Sequence, residues 1–206
     1  MVSKAPKLSF KLLLSFEASL GLLALGLILL LNIKLPAAGI IWPLASLYGL
    51  LAGWLSYLLL LKLHQWAGSS DLVNKLALHQ IYRFFRPYTW PQLVLLALAA
   101  GLGEELLFRA ALQGGLSQYL GPWIALALAS LLFGLAHYLS LAYFLFATGF
   151  GLLLGLGYLL TESLPLVVIW HAVYDALALC LLRYRPQLLG VHPSVCVMQL
   201  SSQTHG

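Results

Sequence analysis

Long apolar runs separated by short polar segments dominate the chain. The runs extend to about Leu31 and then cover roughly 40–61, 92–113, 122–139, 141–160 and 165–182. A helix needs about 20 apolar residues to cross a bilayer, and each run is close to that length. Glycine and proline, as at Gly121-Pro122, mark turns between runs. The pattern predicts an all-α, polytopic membrane bundle of about six transmembrane helices.

Composition supports a membrane protein and excludes an ordinary soluble domain. The 206 residues are 62% hydrophobic and 8% charged, with a mean hydropathy of +0.94, whereas soluble domains average about 25% charged residues. The net charge of +5 does not indicate nucleic-acid binding, because the basic residues flank apolar runs and form no single stripe. We therefore expect a multi-pass protein of the plasma membrane or another internal membrane, in contact with lipid.

Three regions follow from the same pattern. Residues 1–91 are predicted to hold two transmembrane helices and a cytoplasmic interfacial segment, residues 92–182 a core of four helices, and residues 183–206 a cytoplasmic tail. The first apolar run is longer than the core of a signal peptide and is expected to stay in the protein. Its Glu17 should lie near the cytoplasmic end and reach Lys11 or the headgroups.

The basic residues predict the orientation. Six helices with a cytoplasmic N-terminus put nine of the eleven Lys and Arg residues on the cytoplasmic side: Lys4, Lys7, Lys11, Lys62, Lys75, Arg83, Arg86, Arg183 and Arg185. Lys34 is then outside and Arg109 lies within a helix. Cytoplasmic segments of membrane proteins carry such an excess, so both termini are predicted to be cytoplasmic.

Residues 93–112 contain three charges, Glu104, Glu105 and Arg109, all within six positions of an apolar run. Each charge costs at least about 2.5–3.5 kcal/mol in hydrocarbon. Glu105 and Arg109 are four residues apart and share a helix face, while Glu104 points about 100° away. Glu104 is thus left without a local partner, which suits a general base. A buried structural ion network is the alternative.

Other polar residues interrupt later runs. His137 ends the segment Phe133-Gly134-Leu135-Ala136-His137, and His171 precedes Asp175 by four residues on one face. Such residues face the bundle interior, so we predict that these three and Glu104 surround one polar cavity. A histidine satisfied within the core is the alternative for His137. At about 1.5 Å per residue, His137 should lie closer to the cytoplasm than Glu104 and His171.

Together these motifs resemble the CPBP family, the CAAX prenyl protease and bacteriocin-processing (Abi) intramembrane proteases. The family signature, Glu-Glu-x-x-x-Arg, Phe-x-x-x-His and His-x-x-x-Asn or Asp, matches Glu104–Arg109, Phe133–His137 and His171–Asp175 in order, and the likeness runs from about 92 to 182. The resemblance implies an all-helical peptidase similar to type II CAAX prenyl endopeptidases.

The resemblance also implies roles for the matching residues. Glu104 and His137 would activate water, and His171 and Asp175 would stabilise the oxyanion. Glu105, Arg109 and Phe133 would support the site. Asp175 stands where the CAAX proteases have Asn, and an ionised carboxylate repels an oxyanion. Asp175 could instead orient His171 or bind a metal.

The same resemblance leaves the cofactor open, as either none or Zn²⁺. Glu104, His137, His171 and Asp175 could together hold Zn²⁺ with an open position for water. A mechanism with Glu104 as the base needs no metal and is favoured for that reason.

The sequence therefore predicts an intramembrane endopeptidase that cuts a membrane-tethered protein or peptide, which in the best-known relatives is prenylated. A non-enzymatic membrane scaffold or bacteriocin-immunity protein that keeps the motifs for folding is the first alternative. A proton-relaying transporter is the second, but the sequence shows neither inverted repeats nor interrupted helix pairs.

Overall fold

The computed structural model describes residues 9–36, 39–66 and 72–191. Its helices are α1 (Phe10–Leu30), α2 (Trp42–Trp66), α3 (Leu72–Phe85), α4 (Trp90–Glu105), a π-helical segment (Leu106–Gln113), α5 (Gly114–Leu120), α6 (Pro122–Ala136), α7 (Leu141–Thr161), α8 (Leu164–Tyr184) and a 3₁₀ turn (Pro186–Leu189). These ranges contain no strand, and the all-α fold is confirmed. Lys4, Lys7 and residues 192–206 of the tail lie outside the described residues.

Local capping fixes where several helices begin. The hydroxyls of Ser9, Ser140 and Ser163 accept hydrogen bonds from backbone N–H groups in the first turns of α1, α7 and α8. These bonds satisfy donors that a helix start leaves free. Gly121 separates α5 from α6 with φ of 79°, a conformation that glycine adopts without steric cost.

Among the described residues, four helices are long and apolar enough to cross a membrane: α1, α2 through Lys62, α7 and α8. Helix α6 is apolar but has 15 residues, and the run at 92–113 is divided between α4 and the π segment. Large apolar side chains on the bundle surface are exposed, with Leu29 and Leu30 at 79% and 84%, as lipid contact requires. The protein is an integral membrane protein; the count of six spans stays a prediction.

Helix α4 lies between α8 and α1, and α2 packs on α8. Two glycines that precede the acidic pair allow these close approaches. A Cβ on Gly101 would lie 2.9 Å from the Val168 carbonyl oxygen of α8, and a Cβ on Gly103 would overlap the Glu17 carbonyl oxygen of α1. The glycines therefore seat α4 between two partners and fix the position of Glu104 beside them.

The other half of the bundle pairs α7 with α6. Gly151 and Gly155 allow close packing on the side of α7 that faces α6 and the π segment. A Cβ on Gly151 would lie 3.3 Å from Ser130 Cα of α6, and one on Gly155 would lie 3.2 Å from Arg109 Nη1. Gly155 thus leaves room for the buried guanidinium group at the bundle centre.

Candidate active site

Glu105 is the centre of a fully buried ion network. Its Oε2 accepts a hydrogen bond from Arg109 Nε at 3.0 Å, as the spacing predicted, and its Oε1 lies 2.8 Å from His171 Nδ1 on α8. Glu105 and Arg109 have no exposed surface, and His171 is 2% exposed. Because an ionised carboxylate only accepts hydrogen bonds, His171 donates from Nδ1. Glu105 therefore links the acidic motif to α8.

Arg109 lies in the π-helical segment, which the sequence analysis did not predict. Its Nη1 and Nη2 have no hydrogen-bond partner among the described residues, and its guanidinium carbon lies 5.4 Å from the centre of the Phe133 ring. Gln113, at the end of the segment, donates to the Gly155 carbonyl oxygen at 2.9 Å. π-Helical turns occur frequently at functional sites, and this one begins directly after Glu105.

Glu104 and His137 face each other across a short gap. Glu104 Oε2 is 3.5 Å from His137 Nε2, and this oxygen is buried without a hydrogen-bond partner among the described residues. His137 Nδ1 lies 2.9 Å from the Phe133 carbonyl oxygen. Since a carbonyl only accepts, Nδ1 carries the proton, and in the neutral form of the ring Nε2 presents a lone pair to Glu104. Two acceptors therefore converge on one point.

This pairing differs from the expected depths of the two residues. His137 was predicted to lie closer to the cytoplasm than Glu104, on the assumption of a helix through residue 139. Helix α6 ends at Ala136, and His137 is the residue that caps it. The imidazole at this short helix end can reach Glu104 within the bundle.

His171 and Asp175 are also in contact, as their spacing on α8 predicted. His171 Nε2 lies 3.5 Å from Asp175 Oδ2, and the Asp175 side chain is 29% exposed. With Glu105 at the other nitrogen, the imidazole of His171 has a carboxylate on each side. The longer contact is the one on the open side of the site.

Phe133 lies between the two histidines. Its ring stacks on His137 with 4.5 Å between centroids and meets His171 edge-on at 5.8 Å. It also contacts Phe108 at 5.1 Å. Aromatic pairs at these separations hold side chains in fixed orientations. All seven residues proposed from the sequence are therefore in one connected cluster.

A cavity of about 600 Å³ opens from this cluster. Glu104, His137, His171 and Asp175 line its polar part. Apolar side chains from six helices line the rest; they include Leu61, Leu78, Ile81, Phe146 and Leu179. A mostly apolar pocket with a few convergent polar groups is the usual form of a small binding or catalytic site.

Glu17 lies at a different place from the one predicted from the sequence. It was expected to reach Lys11 or the headgroups, but it lines the cavity. Its Oε2 is buried and has no hydrogen-bond partner in the described part of the chain. The contact between α1 and α4 at Gly103 turns Glu17 inward. A lone Glu in an apolar run was the available signal, and its proximity to Lys11 in sequence was misleading.

Tyr57 and Tyr174 are further cavity residues that the sequence did not indicate. Their rings lie 6.1 Å apart, and Tyr174 packs on Phe150 at 4.2 Å. Tyr57 belongs to α2, where it is one aromatic residue in an apolar run without any motif. Only the packing of α2 on α8 brings it to the site.

The donor atoms do not fit a catalytic zinc site in this arrangement. Both nitrogens of His171 face carboxylates, and Nδ1 of His137 faces a carbonyl. Catalytic zinc sites use three protein ligands. Within residues 9–36, 39–66 and 72–191, no group of three or more His, Cys, Asp or Glu side chains could hold a metal ion.

The fold and site define a class: a helical membrane protein with carboxylates and histidines converging on an intramembrane cavity. Residues 86–177 match the family model for Type II CAAX prenyl endopeptidase Rce1-like proteins, so the chain carries an Rce1-like segment and its resemblance to the CPBP family is confirmed. No curated protein and no solved structure matches the chain significantly. The match contains every motif residue and excludes α1 and α2.

Proposed function

We propose that this protein is an intramembrane endopeptidase that hydrolyses a peptide bond in a membrane-tethered protein or peptide. The gap between Glu104 Oε2 and His137 Nε2, 3.5 Å across, carries the proposal. Two acceptors that face one point are matched by a water molecule, which donates one proton to each. Its lone pair is then free to attack a carbonyl carbon.

The reaction follows from this arrangement. The water oxygen bonds to the peptide carbonyl carbon as Glu104 takes its proton. The negative charge that develops on the carbonyl oxygen is stabilised by a hydrogen bond from His171 Nε2. This nitrogen is available because its contact with Asp175 Oδ2 is long, at 3.5 Å. The C–N bond then breaks, and the leaving amine receives a proton from Glu104. The products are a carboxylic acid and an amine, so the atoms balance without a metal.

Glu105 acts through His171. A carboxylate at Nδ1 orients an imidazole and stabilises the ring as it donates from its other nitrogen. The hydrogen bond of 2.8 Å from His171 to Glu105 has this geometry. Arg109 in turn holds Glu105. The role proposed for Asp175 is orientation of His171, because an ionised carboxylate beside an oxyanion would raise the barrier.

The test is cleavage of a membrane-tethered peptide library by the purified, reconstituted protein, followed by mass spectrometry. Glu104→Gln keeps the shape of the side chain but cannot take a proton from water. General base catalysis contributes about 10²–10⁴-fold, so cleavage by this variant should fall by that factor. Glu162→Gln makes the same chemical change at the end of α7 and should cleave at the wild-type rate.

A folded Glu104→Gln protein that cleaves as fast as wild type would end the assignment. Absence of cleavage by the wild-type protein over the whole library would instead favour the non-enzymatic alternative, in which the motif serves folding.

A further inference from the structure

Carboxylates outnumber histidines in the described lining of the cavity. Glu17, Glu104 and Asp175 line it, and none of its lining residues in the described part of the chain is Lys or Arg. Glu104 is 7% exposed, and one of its oxygens is unpartnered. The proposed water would be the partner of Glu104, and His171 is the partner of Asp175. Glu17 has no role in the proposed reaction, and its Oε2 has no hydrogen-bond partner among the described residues.

Glu17 is held at this place by backbone packing. Its carbonyl oxygen abuts Gly103, the residue before Glu104, so α1 cannot slide away without opening the α1–α4 contact. Asp175 and His171 line the same cavity. A carboxylate in an apolar region is stabilised mainly by a counter-charge. No Lys or Arg in the described lining of the cavity supplies one to Glu17, and an occupant could.

We infer that Glu17 is a specificity-determining residue that binds a basic side chain, Lys or Arg, next to the scissile bond of the substrate. The inference rests on the proposed function, since it names the substrate class of the same cavity. A cation beside Glu17 would pair with its buried oxygen and offset the repulsion among the three carboxylates. A substrate with a carboxylate at this position would meet like charge, which opposes binding.

The location of the cavity supports this substrate class. Side chains of α3 and the residue after His137, Tyr138, line its outer part, at the end predicted to be cytoplasmic. Membrane-tethered proteins carry their excess Lys and Arg in short cytoplasmic segments beside the membrane. A basic segment beside the bilayer is therefore the charge that this cavity would meet first.

The experiment uses the full chain in phosphatidylcholine nanodiscs. The probes are short N-palmitoylated, C-terminally amidated fluorescent peptides, otherwise uncharged, in which one Lys is moved along the sequence and then replaced by Met or by Glu. Cleavage gives kcat/KM, and fluorescence anisotropy gives binding. At one position, wild type should prefer Lys over Met by about tenfold or more, as for a close charge pair across an interface.

Glu17→Gln should remove this preference by weakening the Lys peptide and leaving the Met peptide unchanged. Glu162→Gln, the matched control, should keep it. Equal losses for all three peptides in Glu17→Gln would show a structural role and overturn the inference. Equal cleavage and binding of the Lys and Met peptides by wild type would also overturn the inference. That measurement does not depend on the folding of any variant. If nothing is cleaved, the proposed function fails, and the binding preference still decides the role of Glu17.

Discussion

At the scale of single residues, the site depends on how each carboxylate is paired. Glu105 contacts Arg109 and His171, both fully or almost fully buried, whereas Glu104 keeps an unpartnered oxygen. The spacing of Glu105 and Arg109 on one helix made their contact predictable. The bond from Glu105 to His171 spans 66 positions of sequence and depends on how α8 packs on α4, which no local pattern encodes.

Glu105→Gln and Arg109→Ala should each destabilise the protein. Either change leaves a buried charge without its partner, at a cost of about 3–5 kcal/mol. The double variant should lose less than the sum of the two single losses, because residues in one network are not additive. Thermal unfolding in detergent measures all three. Single variants that melt like wild type would contradict a supporting role for this pair.

Asp175→Asn separates two roles for that residue. If Asp175 orients His171, the amide oxygen of Asn can still accept a hydrogen bond from Nε2. The variant also lacks the negative charge that Asp175 places beside the oxyanion, so its activity should be equal or higher. If Asp175 were a zinc ligand, both activity and bound zinc should be lost. We expect the first result, measured as kcat/KM together with zinc content by elemental analysis. Loss of both would restore the metal mechanism.

At the scale of helices, the apolar runs predicted most of the elements, but not their internal form. The π segment at Leu106–Gln113 interrupts a run whose composition continues unchanged, so no residue type announces it. The early end of α6 at Ala136 is likewise not predicted by the apolar run. The π segment holds Arg109 against Glu105, and the end of α6 brings His137 to the cavity. They are set by packing against neighbouring helices, and a one-dimensional pattern does not contain that information.

The contact of α2 with α8 gives a prediction at this scale. A Cβ on Gly53 would lie 2.7 Å from the Trp170 carbonyl oxygen and 2.8 Å from Val173 Cβ, so α8 would have to shift. Overpacking costs about 1–3 kcal/mol, and His171 would shift with its helix. Gly53→Ala should therefore lower both the melting temperature and the cleavage rate.

Gly149→Ala is the matched control for that variant, because a Cβ at Gly149 meets no atom within 4 Å. It should melt and cleave like wild type. If Gly53→Ala behaved like Gly149→Ala, close packing of α2 would not control the position of His171.

At the scale of the whole molecule, contacts between turns group the helix ends. The rings of Phe10 and Tyr88 lie 6.1 Å apart, so α1 and α4 begin at the same end. Gly39 contacts the Thr161–Glu162 turn, so the connection from α1 to α2 lies at the end where α7 finishes. If α1 and α2 each cross the membrane once, Phe10 and Tyr88 must lie on the same side, and this grouping of helix ends agrees with that. Which end is cytoplasmic depends on the basic residues alone.

We expect both termini to be cytoplasmic, because nine of the eleven Lys and Arg residues then lie on that side. A reporter fused at residue 206 should be active only in the cytoplasm. The same reporter inserted in the turn at 32–36 should be active only on the opposite side. Signals from one side at both positions would contradict the six-span topology. Opposite signals with residue 206 outside would mean that the protein has the reverse orientation in the membrane. The cavity would then receive its substrate from the outer face.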